Sequence, residues 1–201
     1  MRKIAFKDIK NMVSSCALSL DLETLTKKPF LGVHHIHEWD HGYESWSGYN
    51  GPRREFYSDM RDMLNFLLDY FETNKISEII IAPIFSGCQF SSMRSYPEKT
   101  KSLYEEIREF LKTLNIRSDS RCGVQLDVKN NTKLIEMVLE GAFLDDVSML
   151  RIFSPSASVI INLTHHFDMV FFTPDFEKEK VIVTSLLKRH PNLKYYERTD
   201  E

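Results

Sequence analysis

Histidines and carboxylates crowd into one short stretch of this 201-residue chain, His34-His35-Ile36-His37-Glu38-Trp39-Asp40-His41. If the stretch is extended, alternation sets Val33, His35, His37 and Trp39 on one face and His34, Ile36, Glu38 and Asp40 on the other. His35 and His37 then stand roughly 6.5–7 Å apart along the backbone, and Asp40 and His41 can fold back toward them from the following turn. Neutral imidazoles and a carboxylate suit Zn²⁺ or another divalent transition metal, and three protein ligands plus a water make a catalytic centre. His35, His37, Asp40 and His41 are therefore the candidate metal ligands, while alternation turns Glu38 away from them. The plainer expectation is a set of surface or hydrogen-bonded histidines beside an aromatic loop, needing no cofactor.

The His-x-His-x-x-Asp-His spacing resembles the metallo-β-lactamase-type His-x-His-x-Asp-His run with one residue inserted, and Val33-His34-His35-Ile36 resembles the opening of an HNH nuclease motif. Neither resemblance extends beyond this stretch, and no family is taken from them. A second candidate is the loop Ser86-Gly87-Cys88-Gln89-Phe90-Ser91-Ser92-Met93-Arg94. If the strand before it is a parallel member of the sheet, the loop leaves the strand's carboxyl end, where α/β proteins collect ligand sites. Cys88 could act as a nucleophile beside a histidine, with Arg94, Ser91 and Ser92 holding an anion. No Gly-rich phosphate signature accompanies it. His165 and His166, in an expected hairpin turn, are further donors.

A third feature is acidic. Residues 54–74 have the cleanest helical period in the chain, with Phe56, Met60, Met63, Leu64, Leu67, Leu68 and Phe71 on one stripe. Glu55, Asp59, Asp62, Asp69 and Glu72 fall on the opposite arc, and Phe66 projects among them. Carboxylates around an aromatic anchor, here Glu55, Asp59, Asp62, Phe66 and Asp69, would suit a basic protein partner. A solvated helix face is the ordinary alternative for such charges.

The elements that must hold these residues follow from periodicity. Residues 4–13 read as a short amphipathic helix and 17–22 as a loose strand. A strand over 30–39 precedes an aromatic, Gly-containing loop at 42–51, and Pro52 suits the first turn of the helix that follows. The apolar run 77–85 reads as a strand covered on both faces, with Pro83 marking its end. A helix carrying Leu103, Ile107, Phe110, Leu111 and Leu114 follows, then a strand at 123–128 and a helix from Asn131 to Phe143. Strands at 147–153, 158–163 and 169–172 come next, with a helix from Thr173-Pro174 to His190 whose Val181-Ile182-Val183-Thr184 run opposes it, and a last strand at 193–196. The pattern predicts an α/β or α+β single globular domain over residues 1–201, a mixed β-sheet flanked by about four helices.

Composition narrows the function. The net charge is −3, and Lys and Arg are scattered, which argues against nonspecific nucleic-acid binding. Three cysteines, Cys16, Cys88 and Cys122, are too few and too spread for a disulfide framework and fit a reducing cytoplasm. No run is long enough to span a membrane. Two function classes remain. One is a cytosolic, non-enzymatic, immunity- or antitoxin-like inhibitor that binds a basic protein through the acidic helix face without a cofactor. The other is a metal-dependent hydrolase, a phosphoesterase or nuclease among the options, with its site at residues 34–41. A thiol or acid/base enzyme centred on Cys88 is a weaker third. Oligomeric state is not legible.

Overall fold

The computed structural model describes residues 1–21, 24–25, 27–36, 54–83, 101–117, 120–144, 150–164 and 167–199. Along them the chain runs β1 (Arg2–Ala5), α1 (Phe6–Ser15), β2 (Phe30–His35), α2 (Arg54–Thr73), β3 (Glu78–Pro83), α3 (Lys101–Thr113), β4 (Cys122–Asp127), α4 (Thr132–Leu144), β5 (Leu150–Ser154), β6 (Val159–Thr164), β7 (Asp168–Phe172), α5 (Phe176–Leu187) and β8 (Leu193–Arg198). The strands make one eight-stranded sheet in the order β1-β4-β3-β5-β6-β7-β2-β8. Every pairing between these strands is antiparallel, so of the two expected classes the α+β one forms.

Register sorts the apolar residues into two layers. Ile81, Ile152, Ile161, Phe171 and Leu31 stand opposite one another across five adjacent strands and face the larger core with α2, α3, α4 and α5. Their neighbours Ile80, Phe153, Ile160 and Phe172 line the reverse face with α1, Leu18 and Leu25. Burial on both faces explains why β3 is a continuous apolar run rather than an alternating one. Each such side chain, fully buried, contributes about 1.5–3 kcal/mol of transfer free energy.

Helix α2 keeps the predicted stripe: Phe56, Met60, Met63, Leu64, Leu67 and Phe71 are buried, and Leu68 packs against the same core. Helix α5 tolerates its β-branched run because Val183 is buried and the Thr184 hydroxyl donates to the Lys180 carbonyl at 2.7 Å. Its start falls at Asp175, whose side chain accepts from the Lys178 amide at 3.3 Å.

The N-terminal reading is corrected. Arg2–Ala5 is an edge strand against β4, and α1 is displaced to begin at Phe6. The strand expected from residue 17 does not form over the described residues 17–21, because Ala17 adopts φ 57° and ends α1. The Leu18 amide donates back to the Val13 carbonyl and the Ala17 amide to the Ser14 carbonyl, both at 3.1 Å, the Schellman arrangement with alanine where glycine is usual.

Register also fixes which connections share an end of the sheet. Pro83 pairs with Leu150, Ala5 with Cys122, Thr164 with Asp168, Asp168 with His34, and His35 with Leu193. The chain therefore leaves β2, β3 and β6, and enters β4, β5, β7 and β8, at one edge of the sheet. The connections from β2 to α2, from β3 to α3 and from β6 to β7 start at that end; residues 37–41, 86–94 and 165–166 within them lie outside the described residues.

Candidate functional site at the histidine end of the sheet

His35 is the last residue of β2 and faces the helical layer, as alternation predicted, with His34 on the reverse face. Asp59 and Asp62 sit three residues apart on α2 and so share the helix face that lies over it. His35 Nδ1 is 3.3 Å from Asp59 Oδ2, and His35 Nε2 is 3.4 Å from Asp62 Oδ2. His35 and Asp59 are only 2% and 3% exposed, whereas Asp62 reaches solvent. The Asn192 side-chain amide donates to the same Asp62 oxygen at 2.8 Å, and the Asn192 carbonyl accepts from the Ile36 amide at 2.8 Å. Thus β2, α2 and the turn before β8 meet at one imidazole.

A neutral imidazole has one N–H and one lone pair. The imidazole stands between two carboxylates, with Nε2 in a hydrogen bond with Asp62 and Nδ1 beside the buried Asp59. The resulting carboxylate–histidine order is the one that orients metal-ligating histidines. The hydrogen bond between His35 and Asp62 has an Nε2–Oδ2 separation of 3.4 Å. That separation equals the spacing of two ligand atoms that each stand about 2.0–2.1 Å from a tetrahedral ion. With both nitrogens protonated, the same three residues would instead form a charged clamp between helix and strand.

Phe66, expected to project from the acidic arc of α2, is instead covered. Phe66 is fully buried, edge-on to Phe171 at 6.3 Å and to His190 at 5.4 Å. Asp59 is buried against His35, and Asp69 lies 3.0 Å from His190 Nε2 and 3.5 Å from Arg189 Nη1. Helix α5 packs over this side of α2, and Asp59, Asp62 and Asp69 each lie beside a histidine. The Glu55 side chain lies outside the described residues, as do His37, Asp40 and His41, the loop from Ser86 to Arg94, and His165 and His166. Among the described residues, no group of three or more His, Cys, Asp or Glu is arranged to hold a metal ion, so a complete ligand set needs donors from elsewhere in the chain.

The reverse face of the same sheet end carries a second polar group. The Tyr196 hydroxyl donates to Asp168 Oδ2 at 2.6 Å, and the Thr164 hydroxyl donates to Asp168 Oδ1. His34 meets the Tyr196 ring edge-on at 5.7 Å. Burial, and then the Asp168 charge, push the Tyr196 phenol well above its usual range. Phe143 stacks on Phe167 at 4.3 Å and Phe56 meets Phe167 edge-on at 5.3 Å, walling the helical side of this end with rings.

Asn192, His190 and Tyr196 carry no local signal that sequence reasoning could have used, since the carboxylate each side chain meets is far along the chain. No helix among the described residues is long and apolar enough to cross a membrane. No protein-family model, curated protein or solved structure gives a significant match to this chain.

Proposed function

We propose that the protein is a divalent-metal-dependent hydrolase of phosphoesters whose centre lies at the histidine end of the sheet. The observation that supports this reading is an imidazole held between two carboxylates of α2, Asp59 at 3.3 Å from Nδ1 and Asp62 at 3.4 Å from Nε2, where an ion displacing the Nε2–Asp62 hydrogen bond would meet both groups. His35 and Asp62 supply two donors, and His37, Asp40 and His41 follow β2 directly and are the proposed remaining ligands. The ion would generate a nucleophilic hydroxide near neutral pH and polarise the substrate. Arg94, His165 and His166, carried by connections that start from the same sheet end, are suited to a phosphate group. The inhibitor reading through α2 is weakened because Phe66 and Asp59 are interior.

Elemental mass spectrometry on untagged protein, followed by titration with Zn²⁺ and Mn²⁺, tests this. The expected result is near-equimolar metal that is lost in His35→Ala and His37→Ala, together with hydrolysis of an activated phosphodiester. Asp59→Asn should keep the ligands and weaken metal binding about 10- to 100-fold. Stoichiometric metal retained by His35→Ala, or failure of the folded wild type to take up either ion, would overturn the proposal.

A further inference from the structure

Helix α3 packs beside α4, and a groove of about 640 Å³ runs between them. Phe110, Leu134 and Met137 form its apolar floor, and Glu105, Glu106 and Glu109 line its α3 rim. All three glutamates are exposed, and their positions along α3 spread negative charge over one helical turn, about 6 Å. Lys133, in the groove lining, has Nζ 3.1 Å from Glu136 Oε2 and its charge also reaches Glu140 and Glu106, and Lys112 Nζ is 2.5 Å from Glu109 Oε1. Glu136 and Glu140 add charge from α4. Burial first, and then Glu136 and Glu106, hold the Glu140 carboxyl above its usual range against the pull of Lys133. Among the residues that line the groove, three carboxylates stand against the one ammonium of Lys133.

We propose that this groove is a docking surface for a basic amphipathic segment of another protein. The segment's apolar side chains would lie on Phe110, Leu134 and Met137, and its Lys or Arg residues would reach Glu105, Glu106 and Glu109. Charge complementarity selects this occupant. A line of rim charges above an apolar floor matches cations and apolar residues repeating along a chain, which a single small cation would not satisfy. The groove is separate from the histidine end of the sheet and does not depend on the metal reading.

The probe is a short helical peptide with Leu at i, i+3 and i+4 spacing flanked by Arg, compared with its isomer carrying Glu for Arg. Binding is read by amide chemical-shift mapping and fluorescence anisotropy. The Arg peptide should shift the amides of residues 105–110 and 130–137, and the Glu peptide should not. The double variant Glu105→Lys, Glu109→Lys alters exposed residues, so circular dichroism should match wild type while peptide affinity falls about tenfold or more. Absent binding, shifts centred on another face, equal binding of the Glu peptide, or unchanged affinity in the folded double variant would each overturn the proposal.

Discussion

Tyr196 lies across Gly32 of the neighbouring strand, so close that a β-carbon on residue 32 would stand 2.0 Å from the Tyr196 Cζ. The pair is directly opposite in the β2–β8 register, and the ring continues past it to place its hydroxyl on Asp168 of β7. The missing side chain of Gly32 is thus what lets an edge strand reach over its neighbour to the strand beyond. Gly32→Ala should displace the ring and destabilise the fold by about 1–3 kcal/mol, read as a lower urea midpoint. In a Tyr196→Ala background the same glycine substitution should cost much less, giving a clear coupling energy. Equal costs in both backgrounds would mean that the close approach is not what Gly32 provides.

Alkaline titration separates the interior tyrosines. Desolvation comes first in raising both Tyr70, beside Glu179, and Tyr196, beside Asp168. Their folded values lie above the unfolded value near 10, so the protonated native form is favoured. The stability they contribute is full below pH 10 and declines as pH climbs from there toward the folded values. Tyr70 and Tyr196 should both be missing from the first phenolate absorbance rise and appear only with unfolding. Tyr70→Phe and Tyr196→Phe should each remove part of the late amplitude and leave the early one intact.

Phe66→Ala is expected to behave as a core truncation. Its ring is fully buried between Phe171 and His190, so the loss should be about 3–5 kcal/mol in chemical unfolding. A surface anchor would give a nearly unchanged midpoint, and that outcome would restore the acidic face of α2 as a partner surface.

Glu179 is 5% exposed on α5 and its Oε1 has no hydrogen-bond partner among the described residues. Desolvation dominates and raises its carboxyl above the usual carboxylate range, with Tyr70 and Lys178 pulling it down and Asp175 pushing it up. A raised folded value means that the protonated form is preferred: its contribution is present below the unfolded value near 4.5 and is lost as pH rises through the folded one. Glu179→Gln, which remains neutral, should therefore gain stability relative to wild type on going from pH 4 to pH 8. Urea unfolding at the two pH values reads the difference. A gap that does not change with pH would assign the effect to packing instead.

Much of the architecture was legible because burial imposes a period on the sequence. The stripe from Phe56 to Phe71, the run at Ile79-Ile80-Ile81 and the alternation through Val33 and His35 each declare an element and the face it buries, and the structure keeps them. The strand Arg2–Ala5 escaped notice because its pairing is with β4, over a hundred residues away in the chain and without a local mark. Periodicity likewise assigned Asp59, Asp62, Phe66 and Asp69 to one arc of α2, but an arc does not carry the identity of what lies over it. Helix α5, β2 and the turn at Asn192 supply that cover, turning a presumptive outer surface into paired carboxylates around His35 and His190. The sequence by itself determined which residues share a face, since that depends only on backbone geometry; the tertiary structure alone decided which face meets which, since that depends on contacts between residues distant in the chain.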